Sequence, residues 1–374
     1  MLDKTNFLII VGEPSGDTHG AHLMASLHKL NPEIQFWGTG GDAMIRNGLE
    51  AKYHARTMAV TGFVEVIKSL HFFRKIFKNI INTCKIEKPN AAILIDYPGF
   101  NIRLGLQLKK LGIPVYYYIS PQVWAWKKGR VKTLKKFVKK MFIIFPFEET
   151  FYQENQIPVA YYGHPLLDQD MKIGTKEDFL SKHQLDASKP VIGFLPGSRI
   201  NEISRHNAIL CESIDILLIL KPDVQIIVAG MRQLPHHLYG ELDNHKNVKI
   251  IWDNPYEVMA FSDMVVVASG TASLEVAYLE TPMIVIYKVS PISYWLAKII
   301  ISVEHLAMPN LIHGDRIIPE LIQDEANPDL IVRWIVDLLE DEILRDEMIQ
   351  GLKQIKSKLG NPGATDRIAS DILK

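Results

Sequence analysis

The chain has 374 residues, and its 42 basic and 42 acidic side chains give a formal net charge of zero. Neutral charge, 47 % apolar and 22 % charged residues are typical of a globular protein and argue against a nucleic-acid-binding chain. This length predicts two domains. The two distant cysteines, Cys84 and Cys211, have neither disulfide nor zinc-finger spacing, which is typical of a reducing cytoplasm.

Short apolar strands alternate with amphipathic helices along the first half. Strands are predicted at NFLIIVG, EIQFWG, AAILID, PVYYYIS and KMFIIF. The segment VTGFVEVIKSLHFFRKIFKNIINTCKI predicts one or two helices with an apolar side. No segment approaches the roughly 18 uninterrupted apolar residues that a membrane-spanning helix needs, and FLIIVG is too short for a signal peptide.

The second half repeats the pattern after a polar segment, which is the best linker candidate, LLDQDMKIGTKEDFLSKHQLDASKP. Strands are predicted at VIGFLPGSR, VQIIVAG, VKIIW, DMVVVAS and PMIVIYK, and the tail from Asp329 is helical. The alternation predicts an α/β protein with two doubly wound parallel sheets. Ligands of such sheets bind beyond the carboxyl ends of the strands, so two facing domains would form a cleft.

The loop in FLPGSRINEISRH leads from a buried-type strand directly into a helix. The free N–H groups and the dipole of a helix start favour an anion. Gly197 lets the backbone approach a phosphate, Ser198 offers a hydroxyl and Arg199 offers a two-pronged cation. The alternative is a tight turn with Ser198 as the N-cap and Arg199 in solvent.

A second loop of this kind lies in VVVASGTASLEVAYLETP, where Ser269, Gly270 and Thr271 precede a helix. Glu275 on that helix is placed to bind ribose hydroxyls. The alternative is a capping box, although Thr271 and Glu275 are one residue too far apart for the ideal spacing. Two phosphate-competent loops in one domain predict a bound nucleoside diphosphate.

The first domain contains three carboxylates that are candidate catalytic groups. Glu13 and Asp17 flank a Ser-Gly turn at a helix start, where acids also stabilise the helix. Asp96 ends the apolar strand AAILID, which is a suitable position for a general base whose pKa is raised by burial. The alternative for Asp96 is a cap on the turn that follows.

The segment WAWKKGRVKTLKKFVKK, from Trp124 to Lys140, carries eight basic residues and no acid. It is interpreted as a site for anionic lipid headgroups or for a substrate phosphate, and otherwise as a solvated helix. The apolar side of VTGFVEVIKSLHFFRKIFKNI with flanking cations has the pattern of an interfacial helix, and otherwise of core packing.

Eight motifs together resemble the lipid-A-disaccharide synthase family. In chain order they are GEPSGDTHGA, DYPGFN, YYISPQVWAWKKGRV, FPFEETFY, GHPLLD, LPGSRINEI, ASGTASLE and MPNLI. The resemblance extends from about residue 6 to 325 and implies the GT-B fold, with two facing Rossmann-like domains and the nucleotide in the second. The predicted domains are 1–168, joined by a returning C-terminal helix at about 345–374, and 169–344.

The resemblance implies an inverting transferase of lipid A biosynthesis. It would join UDP-2,3-diacylglucosamine to 2,3-diacylglucosamine 1-phosphate through a β-1,6 linkage and release UDP, without metal or cofactor. Because both sugars are acylated, it would work in the cytoplasm at the inner face of the inner membrane of a Gram-negative cell. Acyl-chain length and oligomeric state, including a homodimer, stay open.

The residues predicted from these patterns fall into three sets. The catalytic set is Asp96, Arg199, Glu13 and Asp17. The substrate- or nucleotide-binding set is Ser15, Gly16, Asn101, Gly197, Ser198, Glu202, Ser269, Gly270, Thr271, Glu275 and Asn310. The membrane-facing set is Phe63, Val66, Leu70, Phe73, Phe77, Arg74, Lys75 and Lys78.

Two other functions stay open at this stage. Another GT-B sugar-nucleotide enzyme, such as a UDP-N-acetylglucosamine transferase or epimerase, would share both phosphate loops and need no exposed apolar helix. A non-catalytic lipid- or nucleotide-binding protein would tolerate the loss of Asp96 and Arg199. Among the carboxylates, Asp96, Glu13 and Asp17 all remain candidates for the base.

Overall fold

The computed structural model describes residues 5–58, 63–124, 128–252, 254–290, 294 and 304–374, without the side chains of residues 14, 63–70 and 128. The chain divides into two compact units. The first is Met1–Gln169 with Leu359–Lys374, and the second is Asp170–Lys358.

Within the described residues, the first unit contains a seven-stranded parallel sheet in the order β3-β2-β1-β4-β5-β6-β7. Its strands are β1 Asn6–Ile10, β2 Gln35–Gly40, β3 Leu49–His54, β4 Ala91–Ile95, β5 Val115–Tyr118, β6 Val138–Ile143 and β7 Val159–Tyr161. Its α-helices are Pro14–Leu30, Asp42–Arg46, Ala55–Met58, Phe63–Glu87, Pro98–Lys110, Val131–Leu134, Glu148–Glu154 and Ala364–Ile372. Strands β4 and β5 are buried along their whole length, as expected of strands covered by helices on both faces.

The second unit contains a six-stranded parallel sheet in its described part, in the order β10-β9-β8-β11-β12-β13. Its strands are β8 Val191–Leu195, β9 Gln225–Ala229, β10 Val248–Ile251, β11 Met264–Ala268, β12 Met283–Tyr287 and β13 Glu320–Ile322. Its α-helices include Lys176–Lys182, Ile200–Leu220, Gly240–Asp243, Pro255–Phe261, Thr271–Tyr278, Met308–His313, Pro328–Glu340 and Glu342–Lys358. The predicted α/β class with parallel sheets is confirmed, and the short strands β3, β7 and β13 are additions to the predicted set.

Both sheets are wound in the same way. The strand order reverses between β1 and β4 in the first unit and between β8 and β11 in the second. Ligands of doubly wound sheets bind at this switch point, beyond the carboxyl ends of the two strands. The loops that follow these four strands hold Glu13, Asp96, Ser198 and Gly270, so the topology selects the same loops as the sequence did.

The helix Ala364–Ile372 completes the first unit. Its Ile368 and Ile372 are buried in a core shared with the helix Pro14–Leu30. Asp168 fixes the start of this helix, because its carboxylate accepts hydrogen bonds from the amide of Gly363 at 2.5 Å and from the Thr365 amide and hydroxyl at 3.1 and 2.9 Å.

The returning segment is shorter than the predicted 345–374. The helix Glu342–Lys358 buries Met348, Leu352 and Ile355 in the second unit. The chain then turns at Gly360 and Gly363, both with φ of +88°, a conformation that glycine adopts without steric cost. The return to the first unit therefore begins at Leu359.

The helix Phe63–Glu87 corrects part of the predicted membrane-facing set. Phe73 and Phe77 are partly buried against the core of the first unit, and the Phe77 ring centroid lies 5.7 Å from that of Phe100. The helical spacing of Phe73 and Phe77 therefore reflects packing against the core of the first unit. Arg74, Lys75 and Lys78 are exposed, while Phe63, Val66 and Leu70 lie outside the described side chains.

The basic segment does not form one solvated helix. Its described part includes a short 3-10 turn, the helix Val131–Leu134 and the beginning of β6. Lys139 donates a hydrogen bond to the Tyr116 hydroxyl at 2.7 Å, and Lys140 forms an ion pair with Asp371. These two cations therefore join β6 to neighbouring elements of the first unit.

Candidate active site

A cavity of about 370 Å³ lies at the carboxyl ends of β8, β9 and β11 in the second unit. Every nucleotide-binding residue predicted from the two glycine-serine loops lines it: Gly197, Ser198, Arg199, Glu202, Ser269, Gly270, Thr271 and Glu275. The parallel pairing of β8 with β11, in the register Leu195 to Val267, brings together loops that are about seventy residues apart in sequence.

The first loop differs from the expected anion site in one respect. The carboxylate of Glu202 accepts hydrogen bonds from the amides of Ser198 and Arg199 at 3.0 and 3.3 Å, and it pairs with the Arg199 guanidinium at 3.0 Å. These amides of the helix start are therefore already satisfied by a side chain. The Arg199 side chain is 72 % exposed, so its remaining N–H groups can bind an anion in the cavity.

Glu202 and His206 lie behind this loop. Glu202 was predicted to bind substrate, and His206 was given no role from the sequence. Gly197 has a φ of +133°, and a Cβ there would lie 2.6 Å from the Cβ of Glu202. The ring of His206, which is 1 % exposed, bonds through Nδ1 to the carbonyl oxygen of Pro196 at 2.7 Å. The spacing of Glu202 and His206, one helical turn apart, is the signal that both face the loop.

The second loop leaves its amides open. Within the described residues, the backbone N–H groups of Gly270, Thr271 and Ala272 have no protein acceptor. The helix Thr271–Tyr278 has no acid in its first turn and no side-chain cap. Gly270 has a φ of +151° and nothing within 4 Å of the position where a Cβ would be, so the backbone there is exposed to the cavity. This loop is the stronger phosphate site of the two.

Glu275 lies against the same cavity beside Tyr256, a residue that the sequence analysis did not select. The Tyr256 hydroxyl donates a hydrogen bond to Oε1 of Glu275 at 3.1 Å. Burial raises the pKa of Glu275, and the Tyr256 hydrogen bond opposes that shift. Leu195, Ala229 and Met259 add apolar walls, so the cavity combines two phosphate-competent loops, a carboxylate and a surface suited to a flat base.

Asp96 follows β4 at the switch point of the first unit. Burial, assisted by the nearby charge of Glu13, raises the pKa of Asp96 from 3.8 to about 6, and the hydrogen bond from the Tyr97 amide opposes that shift. Asp96 and Tyr97 both adopt the left-handed region, with φ of 44° and 49°. Two adjacent non-glycine residues in this region are strained, and such strain is concentrated at functional sites.

The strained backbone is held from below by two buried side chains. The Asn101 amide donates hydrogen bonds to the carbonyl oxygens of Ile95 and Asp96 at 3.2 and 2.8 Å, and the Tyr117 hydroxyl donates to that of Asp96 at 2.6 Å. Asn101 is fully buried. It therefore positions Asp96 and does not contact a substrate, which corrects its predicted role.

The other first-unit residues divide into two groups. Glu13 caps the helix Pro14–Leu30 through its backbone only, and Glu13 and Ser15 are exposed. Asp17 is buried, and its two carboxylate oxygens accept hydrogen bonds from the amides of Gly41, Ala43 and Met44 at 2.7 to 3.1 Å. Asp17 thus holds the start of the helix Asp42–Arg46 and is no longer a candidate base. Gly16 is buried beside Val11.

Asn310 also has a structural position. It is fully buried, its amide donates to the Ile318 carbonyl at 3.0 Å and to Glu320 at 2.6 Å, and its Oδ1 accepts from the amides of Ile317 and Ile318. All of its polar atoms are used inside the second unit, so the predicted contact with substrate is replaced by a role in fixing the turn before β13.

No group of three or more His, Cys, Asp or Glu side chains suited to a metal ion is found among the described residues. In the same part of the chain, no helix combines the length and apolarity needed to cross a membrane.

Comparison with known proteins decides the family. Residues 7–363 match the family described as lipid-A-disaccharide synthetase. The chain belongs to this family. The lipid-A-disaccharide synthase of Geobacter sulfurreducens is 38 % identical over 378 residues, which cover 100 % of this chain and 98 % of that protein. The corresponding enzyme of Myxococcus xanthus is 36 % identical, with the same coverage.

Solved structures confirm the GT-B fold class of this lipid-A-disaccharide synthetase family member. A UDP-GlcNAc 2-epimerase from Neisseria meningitidis, solved with UDP-GlcNAc, has a TM-score of 0.66 at 15 % identity and covers 98 % of this chain and 99 % of its own. A calicheamicin glycosyltransferase has a TM-score of 0.63 at 15 % identity, covering 100 % and 98 %. At these identities the likeness shows the fold and not the activity.

Proposed function

We propose that the chain is an inverting glycosyltransferase that joins UDP-2,3-diacylglucosamine to 2,3-diacylglucosamine 1-phosphate and releases UDP. The family assignment gives the class of substrates, a sugar nucleotide and a lipid-linked sugar. The observation that carries the proposal is the cavity of the second unit, which is lined by all eight predicted residues of the two loops.

The second unit supplies the binding energy for the leaving group. The open amides of Gly270, Thr271 and Ala272 and the exposed guanidinium of Arg199 offer donors and positive charge to a diphosphate. As the bond from the sugar C1 to the diphosphate oxygen breaks, UDP leaves with the electron pair, and these donors stabilise the developing charge.

The first unit supplies the base. Asp96 has a pKa of about 6, so it is ionised at neutral pH and is a stronger base than an exposed aspartate. It accepts the proton of the acceptor 6-hydroxyl as that oxygen bonds to C1 from the face opposite the leaving group. One carboxylate and a single displacement are sufficient for inversion at C1.

We also propose that the protein acts at the inner face of the inner membrane as a peripheral protein. Phe72, at 39 % exposure, is an exposed aromatic ring on the helix Phe63–Glu87, which also carries the exposed Arg74, Lys75 and Lys78. A helix that exposes both an aromatic ring and cations suits an anionic lipid surface. Co-sedimentation with anionic vesicles should fall for the variant K75E/K78E and stay unchanged for the matched variant K109E/K110E. Equal binding by both variants would contradict the assignment.

The central test uses purified protein, UDP-diacylglucosamine and the 1-phosphate acceptor in mixed micelles. We expect a β-1,6-linked disaccharide and one UDP per turnover. A chelator should leave turnover unchanged, because the Arg199 guanidinium and hydrogen bonds from the backbone amides stabilise the charge of the diphosphate. Loss of turnover in the presence of the chelator would overturn that assignment. Free UDP with no disaccharide, or an epimerised sugar nucleotide, would overturn the proposed reaction.

A further inference from the structure

Glu275 has one carboxylate oxygen engaged and one available. Oε1 accepts the hydrogen bond from the Tyr256 hydroxyl at 3.1 Å, whereas Oε2 has no donor among the described residues. Glu275 and Tyr256 both line the cavity, together with both phosphate-competent loops. A ligand held at those loops would therefore meet a carboxylate that is already fixed on one side.

A partly buried carboxylate with one available oxygen is suited to a donor that is itself neutral. A second anion would be repelled, and among the described residues no basic side chain pairs with Glu275. Sugar hydroxyls satisfy this requirement, since they donate hydrogen bonds and carry no charge. In a nucleoside diphosphate, the ribose lies between the base and the phosphates, so its hydroxyls are the donors nearest to this position.

We propose that Tyr256 is a positioning residue that orients the Glu275 carboxylate toward the ribose hydroxyls, which makes the cavity selective for a ribonucleoside diphosphate. This inference rests on the proposed function, because it assumes a nucleotide in the second unit. It adds a residue and a specificity that the two loops alone do not explain.

Burial raises the pKa of Glu275, and the hydrogen bond from Tyr256 opposes that shift. Three ionisable groups on the helices packed against Thr271–Tyr278 have partners other than Glu275. Glu257 accepts from the Gly174 amide, Lys356 pairs with Glu280, and His313 lies 3.6 Å from Asp315. Across the cavity, Arg199 and Glu202 pair with each other. Removing the Tyr256 hydroxyl therefore removes the hydrogen bond that favours the ionised carboxylate, and the pKa of Glu275 rises further.

The test compares UDP with 2′,3′-dideoxy-UDP by isothermal titration calorimetry between about pH 5 and pH 8. Both ligands carry the same diphosphate, so phosphate ionisation cancels in their affinity ratio. We expect Y256F to weaken UDP by about tenfold at neutral pH, the scale of a lost hydrogen bond to a charged group. As the pH is lowered, the ratio of UDP affinity to dideoxy-UDP affinity should begin to fall at a higher pH in Y256F than in wild type. The affinity for dideoxy-UDP should hardly change.

A double-mutant comparison separates positioning from a structural effect. In the E275Q background, adding Y256F should change UDP affinity by less than about twofold, because the hydroxyl has no carboxylate left to orient. The inference is wrong if Y256F lowers the affinities for UDP and dideoxy-UDP by the same factor. It is also wrong if Y256F lowers UDP affinity by the same factor in the wild-type and E275Q backgrounds. If wild-type protein does not bind UDP, or if R199A leaves UDP affinity unchanged, the proposed function itself fails, and the two results are distinguishable.

Discussion

Replacement of Asp96 by asparagine is expected to separate catalysis from binding. The amide side chain would keep the shape of the carboxylate and the hydrogen bond from the Tyr97 amide, but it cannot accept the acceptor proton. A positioned general base contributes about 10²–10⁴-fold to turnover, so D96N should lose activity on that scale. UDP affinity should stay at the wild-type value, because the cavity of the second unit does not include residue 96.

The structure also gives the pH dependence and the stability effect. With a pKa of about 6, wild-type activity should fall below about pH 6 as Asp96 becomes protonated. Raising the pKa from 3.8 to about 6 means that ionisation of the folded protein is disfavoured by roughly 3 kcal/mol. This cost is absent below about pH 4 and fully present above about pH 6, so D96N should be more stable than wild type at neutral pH, by at most this amount.

The assay follows UDP release and disaccharide formation across pH, with thermal unfolding of the same samples. The exposed Glu33, which is in the same unit, provides the matched control E33Q and should behave as wild type. D96N turnover within about threefold of wild type would show that Asp96 is not the base. A lower melting temperature for D96N than for wild type at neutral pH would show that burial of the ionised Asp96 carboxylate does not destabilise the folded protein.

Three further changes have expected outcomes. E13Q removes a neighbouring charge that raises the pKa of Asp96, so the acid limb of activity should move to lower pH; an unmoved limb would contradict the coupling. R199K keeps the charge but loses the forked geometry and should weaken UDP by about tenfold in calorimetry, with R199A weaker still; equal affinity would remove Arg199 from the diphosphate site. D168N weakens the cap at Gly363 and Thr365 and should lower the free energy of unfolding by about 1–3 kcal/mol in urea; no change would show that this cap contributes little.

The two glycine-serine loops predicted from the sequence line one cavity because each of them follows a buried strand. A parallel strand that ends in Gly-Ser or in Asp delivers those residues to one edge of the sheet, whatever the rest of the fold does. Leu195 and Ala268 end β8 and β11, and the loops after them line one cavity. Local pattern was sufficient because a strand and its following loop are adjacent in the chain.

Motif membership was less reliable for individual side chains. Asn101, Asp17 and Asn310 belong to the recognised motifs, and all three use their polar atoms to hold backbone groups. The same residue types bind substrates when exposed, so composition and spacing do not separate the two roles. Partners distant in sequence decide it, as Gly41 does for Asp17.

By itself, the sequence determined the fold class, the two phosphate-competent loops and the acid at the end of β4, because these follow from periodicity and from residues next to each other. Only the tertiary structure decided that Glu202 occupies the amides of the first loop, that Phe73 and Phe77 pack inward, and that Tyr256 meets Glu275. Each of these depends on which groups are buried together, and burial is a property of the packed chain that no short stretch of residues specifies.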